Sequence, residues 1–266
     1  MSASLVETAL GRDRALLIGA MAVLFLLSGL YTVLGVGMDM SAIDMTRMAG
    51  MRDMPGMREA GSWGPGYFVL VFLMWWVMMV AMMLPSVAPT VLLYAALLRK
   101  TGSSVQVPVT TAMFLAGYLA VWAGFSIAAA VVQHSLETAG IVSATMMTLV
   151  ETVPGAVVLI VAGAFQFTPW KDRCLSHCRS PAEFIARRRR AGVSGAFTMG
   201  LEHGLYCLGC CWFLMALLFV GGIMNLYWIV GLAAFVALEK LTPYGKLASK
   251  AAGVLLIAWG LWVILV

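Results

Sequence analysis

The stretch YFVLVFLMWWVMMVAMMLPSVAPTVLLYAALLRK, Tyr67 to Lys100, decides the fold class. It carries no charge before Arg99, so 32 residues run without an ionised side chain. A helix crosses a bilayer with about 20 apolar residues. Further runs of that kind recur along the 266-residue chain, which is 62% hydrophobic and 11% charged with a mean hydropathy of +0.95. A soluble domain carries about a quarter charged residues, and no series of alternating ten-residue strands points to a barrel. The expectation is an all-α, polytopic integral membrane helical bundle.

Seven spans are expected: Ala15 to Gly37, Tyr67 to beyond Leu84, Val109 to Val132, about Pro154 to Phe167, Gly195 to Val220, Met224 to Leu238, and Ala251 to Val266. Pro85 and Pro89 are expected to kink or break the second, because each removes a backbone donor. The first run is long for a signal peptide and lacks a small-residue cleavage site, so it reads as a retained anchor.

Basic residues fix the expected orientation. With the N-terminus in the cytoplasm, inner segments hold fourteen of the seventeen: Arg12, Arg14, Arg99, Lys100, seven between Lys171 and Arg190, then Lys240, Lys246 and Lys250. Only Arg47, Arg52 and Arg58 fall outside. This bias accounts for the net charge of +5 without a nucleic-acid partner, and the run Arg187 to Arg190 suits anionic lipid headgroups. Two parts follow: residues 1–66, an anchor helix plus an outer loop, and residues 67–266, the membrane domain.

Sulfur and imidazole are concentrated. All five cysteines and two of three histidines lie between Cys174 and Cys211, in CLSHC (Cys174, His177, Cys178) and HGLYCLGCC (His203, Cys207, Cys210, Cys211). His203, Cys207 and Cys210, at i, i+4 and i+7, project within an arc of about 60° on one helix face. Both clusters fall toward the cytoplasmic side, so they are expected to form one composite centre. Thiolate and imidazole suit Cu(I), with zinc as the competitor. The alternative is that buried cysteines merely pack. Stable disulfides do not suit a reducing cytoplasm.

The outer loop adds Met38 and Met40, then Met45, Met48, Met51, Met54 and Met57 at every third residue, among glycines and aspartates with little core to fill. Thioethers bind Cu(I) without deprotonation. Met74, Met78 and Met82 form a second ladder, with Met79 and Met83 beside it, and lipid-facing filling is the competing reading. Trp75 and Trp76 sit deep enough for helix packing. Glu202 either orients His203 or pairs with an inner arginine. Glu151 and Glu239 are expected at the interface, and His134 in a solvated outer loop.

Three strings, MWWVMMVAMMLPSVAP (Met74 to Pro89), CLSHCRSP (Cys174 to Pro181) and GLEHGLYCLGCCWFLMALLFVGGIMN (Gly200 to Asn225), together resemble a bacterial family of predicted metal-binding integral membrane proteins of unassigned function, sometimes labelled copper chaperones. The resemblance runs from about Tyr67 to the C-terminus. It implies a multi-span fold in the bacterial inner (plasma) membrane and a metal site at Cys174, His177, Cys178, His203, Cys207, Cys210 and Cys211. The outer methionine spacing is similar to motifs of high-affinity copper transporters. The expected function is non-catalytic capture, passage or delivery of Cu(I), with a membrane cuproenzyme or other membrane complex as partner. Its rivals are an assembly subunit whose cysteines do no chemistry, a zinc protein, and a thiol oxidoreductase using the Cys207/Cys210 spacing. Haem binding lacks a second axial histidine.

Overall fold

Tyr67 to Lys100 lies within one unbroken helix. The computed structural model describes residues 3–38, 40–48, 63–100, 107–143 and 147–265, with side chains from residue 14 onward. In chain order the helices are α1 (Ala3–Leu34), α2 (Ala42–Arg47), α3 (Pro65–Lys100), α4 (Val107–Thr138), α5 (Thr152–Phe165), α6 (Pro169–Arg179), α7 (Pro181–Arg187), α8 (Gly192–Ala216), α9 (Leu218–Gly221), α10 (Leu226–Leu241) and α11 (Gly245–Leu265). Met51, Met54 and Met57 lie outside the described residues.

Five helical segments among the described residues are long and apolar enough to cross a membrane: Arg14–Leu34, α3, α4, Gly192–Gly221 and α11. Helices α5 and α6 pass that test only as a pair, bent by 65°. Each of the seven expected stretches is helical, but α5 and α10 have 14 and 16 residues. At 1.5 Å per residue they reach about 21 and 24 Å, against a hydrocarbon core of about 30 Å.

The α5–α6 bend has a local cause. Thr168 caps α6 by accepting the Lys171 N–H, Pro169 takes the first helical position, and Asp172 lies in the first turn. Those residues start a helix rather than continue one. Asn225 caps α10 through the Tyr227 N–H, after Gly222 makes the preceding turn at φ +93°, a conformation that suits glycine.

Of the two outcomes expected at the prolines, a kink or a break, the break does not occur; the helix runs through both Pro85 and Pro89. It packs against α1, α4 and α10. Neighbouring helices of this kind make a membrane-helix proline tolerable by satisfying freed backbone groups. The methionine ladders of α3 face inward rather than toward lipid: Met74, Met78, Met79, Met82 and Met83 are all buried. Trp75 is also buried, donating from Nε1 to Gln133 Oε1 (2.8 Å), while Trp76 donates to the Leu119 carbonyl (3.1 Å).

The start of the loop after α1, expected to have little core to fill, does have one. Helix α2 docks on the bundle, burying Ala42 and Met45, and Thr46 Oγ1 accepts the Leu226 N–H (2.9 Å). Met38, Met40 and Met48 are half-buried beside it. His134 belongs to α4 rather than to a solvated loop, its ring 4.6 Å from that of Trp63. Trp63 in turn donates to Glu137 (2.8 Å), which accepts from Gln133 (2.8 Å). This chain joins the N-terminal end of α3 to the C-terminal end of α4.

Helices α4 and α8 meet through two glycines. A Cβ on Gly200 would lie 2.0 Å from the Phe114 carbonyl oxygen, and one on Gly117 would lie 2.1 Å from that of Phe197. Small residues let membrane helices approach this closely. Gly200→Ala is therefore expected to destabilise the folded protein in detergent by about 1–3 kcal/mol. Gly124→Ala, where a Cβ would meet nothing within 4 Å, should be neutral or slightly stabilising, since alanine is the better helix former by up to about 1 kcal/mol. Thermal unfolding of both variants checks the contrast.

Candidate metal centre

One face of α8 carries Met199, His203, Cys207, Cys210 and Cys211, all buried. The 3.6-residue period that groups them also turns them toward α4 and α6, the helices that α8 packs on. Cys210 and Cys211 both donate to the Cys207 carbonyl, at 3.0 and 2.9 Å. The Cys207 sulfur lies 3.0 Å from the Tyr118 hydroxyl of α4 and accepts from the Lys240 ammonium of α10 at 2.9 Å. The close α4–α8 approach at Gly117 and Gly200 is what brings Tyr118 within reach.

The second cluster arrives on α6. Cys178, buried, comes within side-chain interaction range of Cys210. Cys174, half-buried, rests on α8 where Gly209 leaves room: a Cβ there would be 2.9 Å from its sulfur. All five cysteines are free thiols. The two clusters thus meet, through Cys178 and Cys210 above all. The histidines are less engaged. His177 stacks on Tyr206 at 4.1 Å with its Nδ1 at the Arg173 carbonyl (2.8 Å). His203 sits among Phe114, Tyr118 and Phe184, and its buried Nδ1 has no hydrogen-bond partner.

Two lysines complete the centre. Lys171 of α6, fully buried, forms an ion pair with Glu239 of α10 at 2.8 and 3.0 Å, and Ser249 of α11 donates to the same carboxylate at 2.5 Å. Glu239 is therefore not interfacial, as its place near a span end implied; it is 0% exposed. Lys240, the next residue, points to Cys207 and lies 3.5 Å from Ser86 of α3. Sequence reasoning counted both lysines as inner-loop charges. An adjacent Glu-Lys pair closing an apolar helix was the available signal. Glu202 takes the arginine pairing, at 2.6 Å from Arg190 and 3.9 Å from Arg188, rather than orienting His203.

Chemically, this is a dense group of soft donors held away from water, with one unpartnered imidazole nitrogen at its edge. That donor set suits Cu(I). The thiols are engaged with one another, with a carbonyl and with an ammonium, and among the described residues no three His, Cys, Asp or Glu side chains are already arranged to hold a metal ion. Ligation requires these partners to be exchanged.

The model of the PpoB2 family, described as copper chaperone, matches residues 72–263. That range contains both cysteine clusters, the α3 ladders and both buried lysines. No curated protein and no solved structure matches the chain.

Removing one member of a buried ion pair leaves an uncompensated charge and costs about 3–5 kcal/mol, whereas replacing both with apolar groups is often neutral. Lys171→Met is expected to lower stability by that amount, and Lys171→Met combined with Glu239→Leu to recover most of it. Thermal unfolding in detergent checks the pair. Equal loss in the single and double variants would mean that the carboxylate is not held by this lysine.

Proposed function

The chain belongs to the copper chaperone family, and on that premise we propose that it gathers Cu(I) on the outer side of a bacterial inner membrane and holds it at buried thiols toward the inner side. From there the ion passes to a membrane cuproenzyme or another membrane complex. In this reading all seven apolar stretches cross the bilayer with the N-terminus in the cytoplasm. Residues 1–66 collect the ion and residues 67–266 hold it, and the role is binding and hand-over, without catalysis.

The observation that carries the proposal is the meeting of Cys178 with Cys210, residues on different helices, inside a group that also holds Cys207 and Cys211. A lone buried cysteine is packing material. Four thiols from two elements, buried together with an unpartnered imidazole beside them, form the ligand type that selects Cu(I). Cys174 stands at the margin of this group, and His177 joins only if its ring leaves Tyr206. The need to exchange hydrogen-bond partners for metal suits a carrier, which must let its cargo go. The buried ladder Met74, Met78 and Met82 supplies thioethers between the outer loop and this group, and the methionines from Met38 to Met57 supply them at the entrance.

Elemental analysis of the purified protein is expected to find copper. Zinc would instead favour a structural or regulatory thiolate site, and neither metal would favour an assembly subunit. Cys207→Ser with Cys210→Ser should remove most tightly bound copper while leaving folding and membrane insertion intact, because serine offers a hard hydroxyl in place of sulfur. Unchanged copper stoichiometry would count against the thiol site.

Exchanging the methionines from Met45 to Met57 for leucine should slow loading of proteoliposomes at scarce Cu(I) and leave loading at abundant Cu(I) little changed. Leucine keeps apolar bulk and loses the sulfur lone pair. Identical uptake curves at low copper would make the outer ladder a packing surface.

A further inference from the structure

Lys240 has no carboxylate partner among the ion pairs of the described residues, although it is almost completely buried. Its neighbour Glu239 is taken by Lys171. The ammonium instead contacts Cys207 Sγ on α8 (2.9 Å) and Ser86 Oγ on α3 (3.5 Å). Ser86 donates to the Met83 carbonyl (2.9 Å), so it marks the inner end of the α3 methionine ladders. The ammonium thus bridges Ser86, which follows the last methionines of α3 in the chain, and Cys207, the first cysteine of α8. A buried cation needs a compensating anion or strong acceptors, and here the sulfur serves.

We infer that Lys240 is a cationic gate at this junction: its ammonium holds the position beside Cys207 that Cu(I) takes on loading, and its return helps to expel the ion. This rests on the thiol reading of the site given above. The exchange needs no electron transfer: Cu(I) binds the sulfur as thiolate, and the proton of a thiol leaves to water as the Cu(I)–sulfur bond forms. The Lys240–Cys207 contact breaks, a Cu(I)–sulfur bond forms, and the four-carbon stem lets the ammonium withdraw toward Ser86. Repulsion between the ammonium and an entering metal grows with the metal's charge. The gate therefore also discriminates against divalent zinc, the principal competitor for thiols.

The test uses the full-length protein in detergent, loaded with Cu(I) as its acetonitrile complex or with Zn(II), and follows release to a metal chelator. Lys240→Met removes the charge. Lys240→Gln removes it while keeping a hydrogen-bond donor for Cys207 and Ser86, which protects the fold, and Lys240→Arg keeps the charge. Both neutral variants are expected to release Cu(I) at least tenfold more slowly than wild type and to retain a higher ratio of zinc to copper from an equimolar mixture. Lys240→Arg should stay within about threefold of wild type. Release as fast or faster from the folded neutral variants, or an unchanged metal ratio, overturns the gate while leaving the thiol site standing. A wild-type protein that binds no Cu(I) overturns both.

Discussion

An ammonium group removed from water must be paired, and among the described residues this bundle buries two of them, Lys171 and Lys240. Their partners fix how the helices meet. Lys171 ties α6 to Glu239 of α10, which Ser249 joins to α11. Lys240, the next residue of α10, ties that helix to Cys207 of α8 and Ser86 of α3. Leaving either charge uncompensated costs several kcal/mol, so α6 cannot slide freely along α10, nor α10 along α8. Cys178 arrives at Cys210 because α6 is held in this way. The thiol group is a consequence of the charge pairing as much as of its own contacts.

The α4–α8 contact supplies the other constraint. Gly117 and Gly200 let the two backbones approach until Tyr118 reaches Cys207 and the ring of Phe114 lies 6.0 Å from that of His203. Toward the N-terminal end of α3, Trp63, Glu137, Gln133 and Trp75 form a chain of polar contacts that satisfies groups which would otherwise be stranded in an apolar setting. Between these two polar levels lie the inward-facing methionines of α3, in a region where thioether is the most polar side-chain chemistry on that helix.

Much of this was legible in the sequence, because hydrophobic runs report helices and a 3.6-residue period reports a shared face. Each expected stretch is helical, five segments among the described residues being long and apolar enough to cross a membrane alone, and His203, Cys207 and Cys210 do lie together on α8. Periodicity does not say which neighbour a face meets, so Met74, Met78 and Met82 read equally well as lipid-facing. Of the kink or break expected at Pro85 and Pro89, the break is absent, since a rule about isolated backbone donors cannot see the packing around α3. Counting lysines to assign a membrane side treats them as solvated, and that hid Lys171 and Lys240. Glu239 was placed at the interface for the same reason: a position near a helix end is visible in sequence, and a partner 68 residues away is not.

On the proposed reading, sulfur collected from two helices around a buried ammonium serves a copper carrier, whereas a subunit that only packs has no need of it. The most direct measurement is X-ray absorption at the copper edge of the protein loaded with one equivalent of Cu(I). A first coordination shell dominated by sulfur, and converted to oxygen or nitrogen when Cys207 and Cys210 are replaced by serine, is the result this account predicts. A shell of oxygen and nitrogen in the wild-type protein would contradict it.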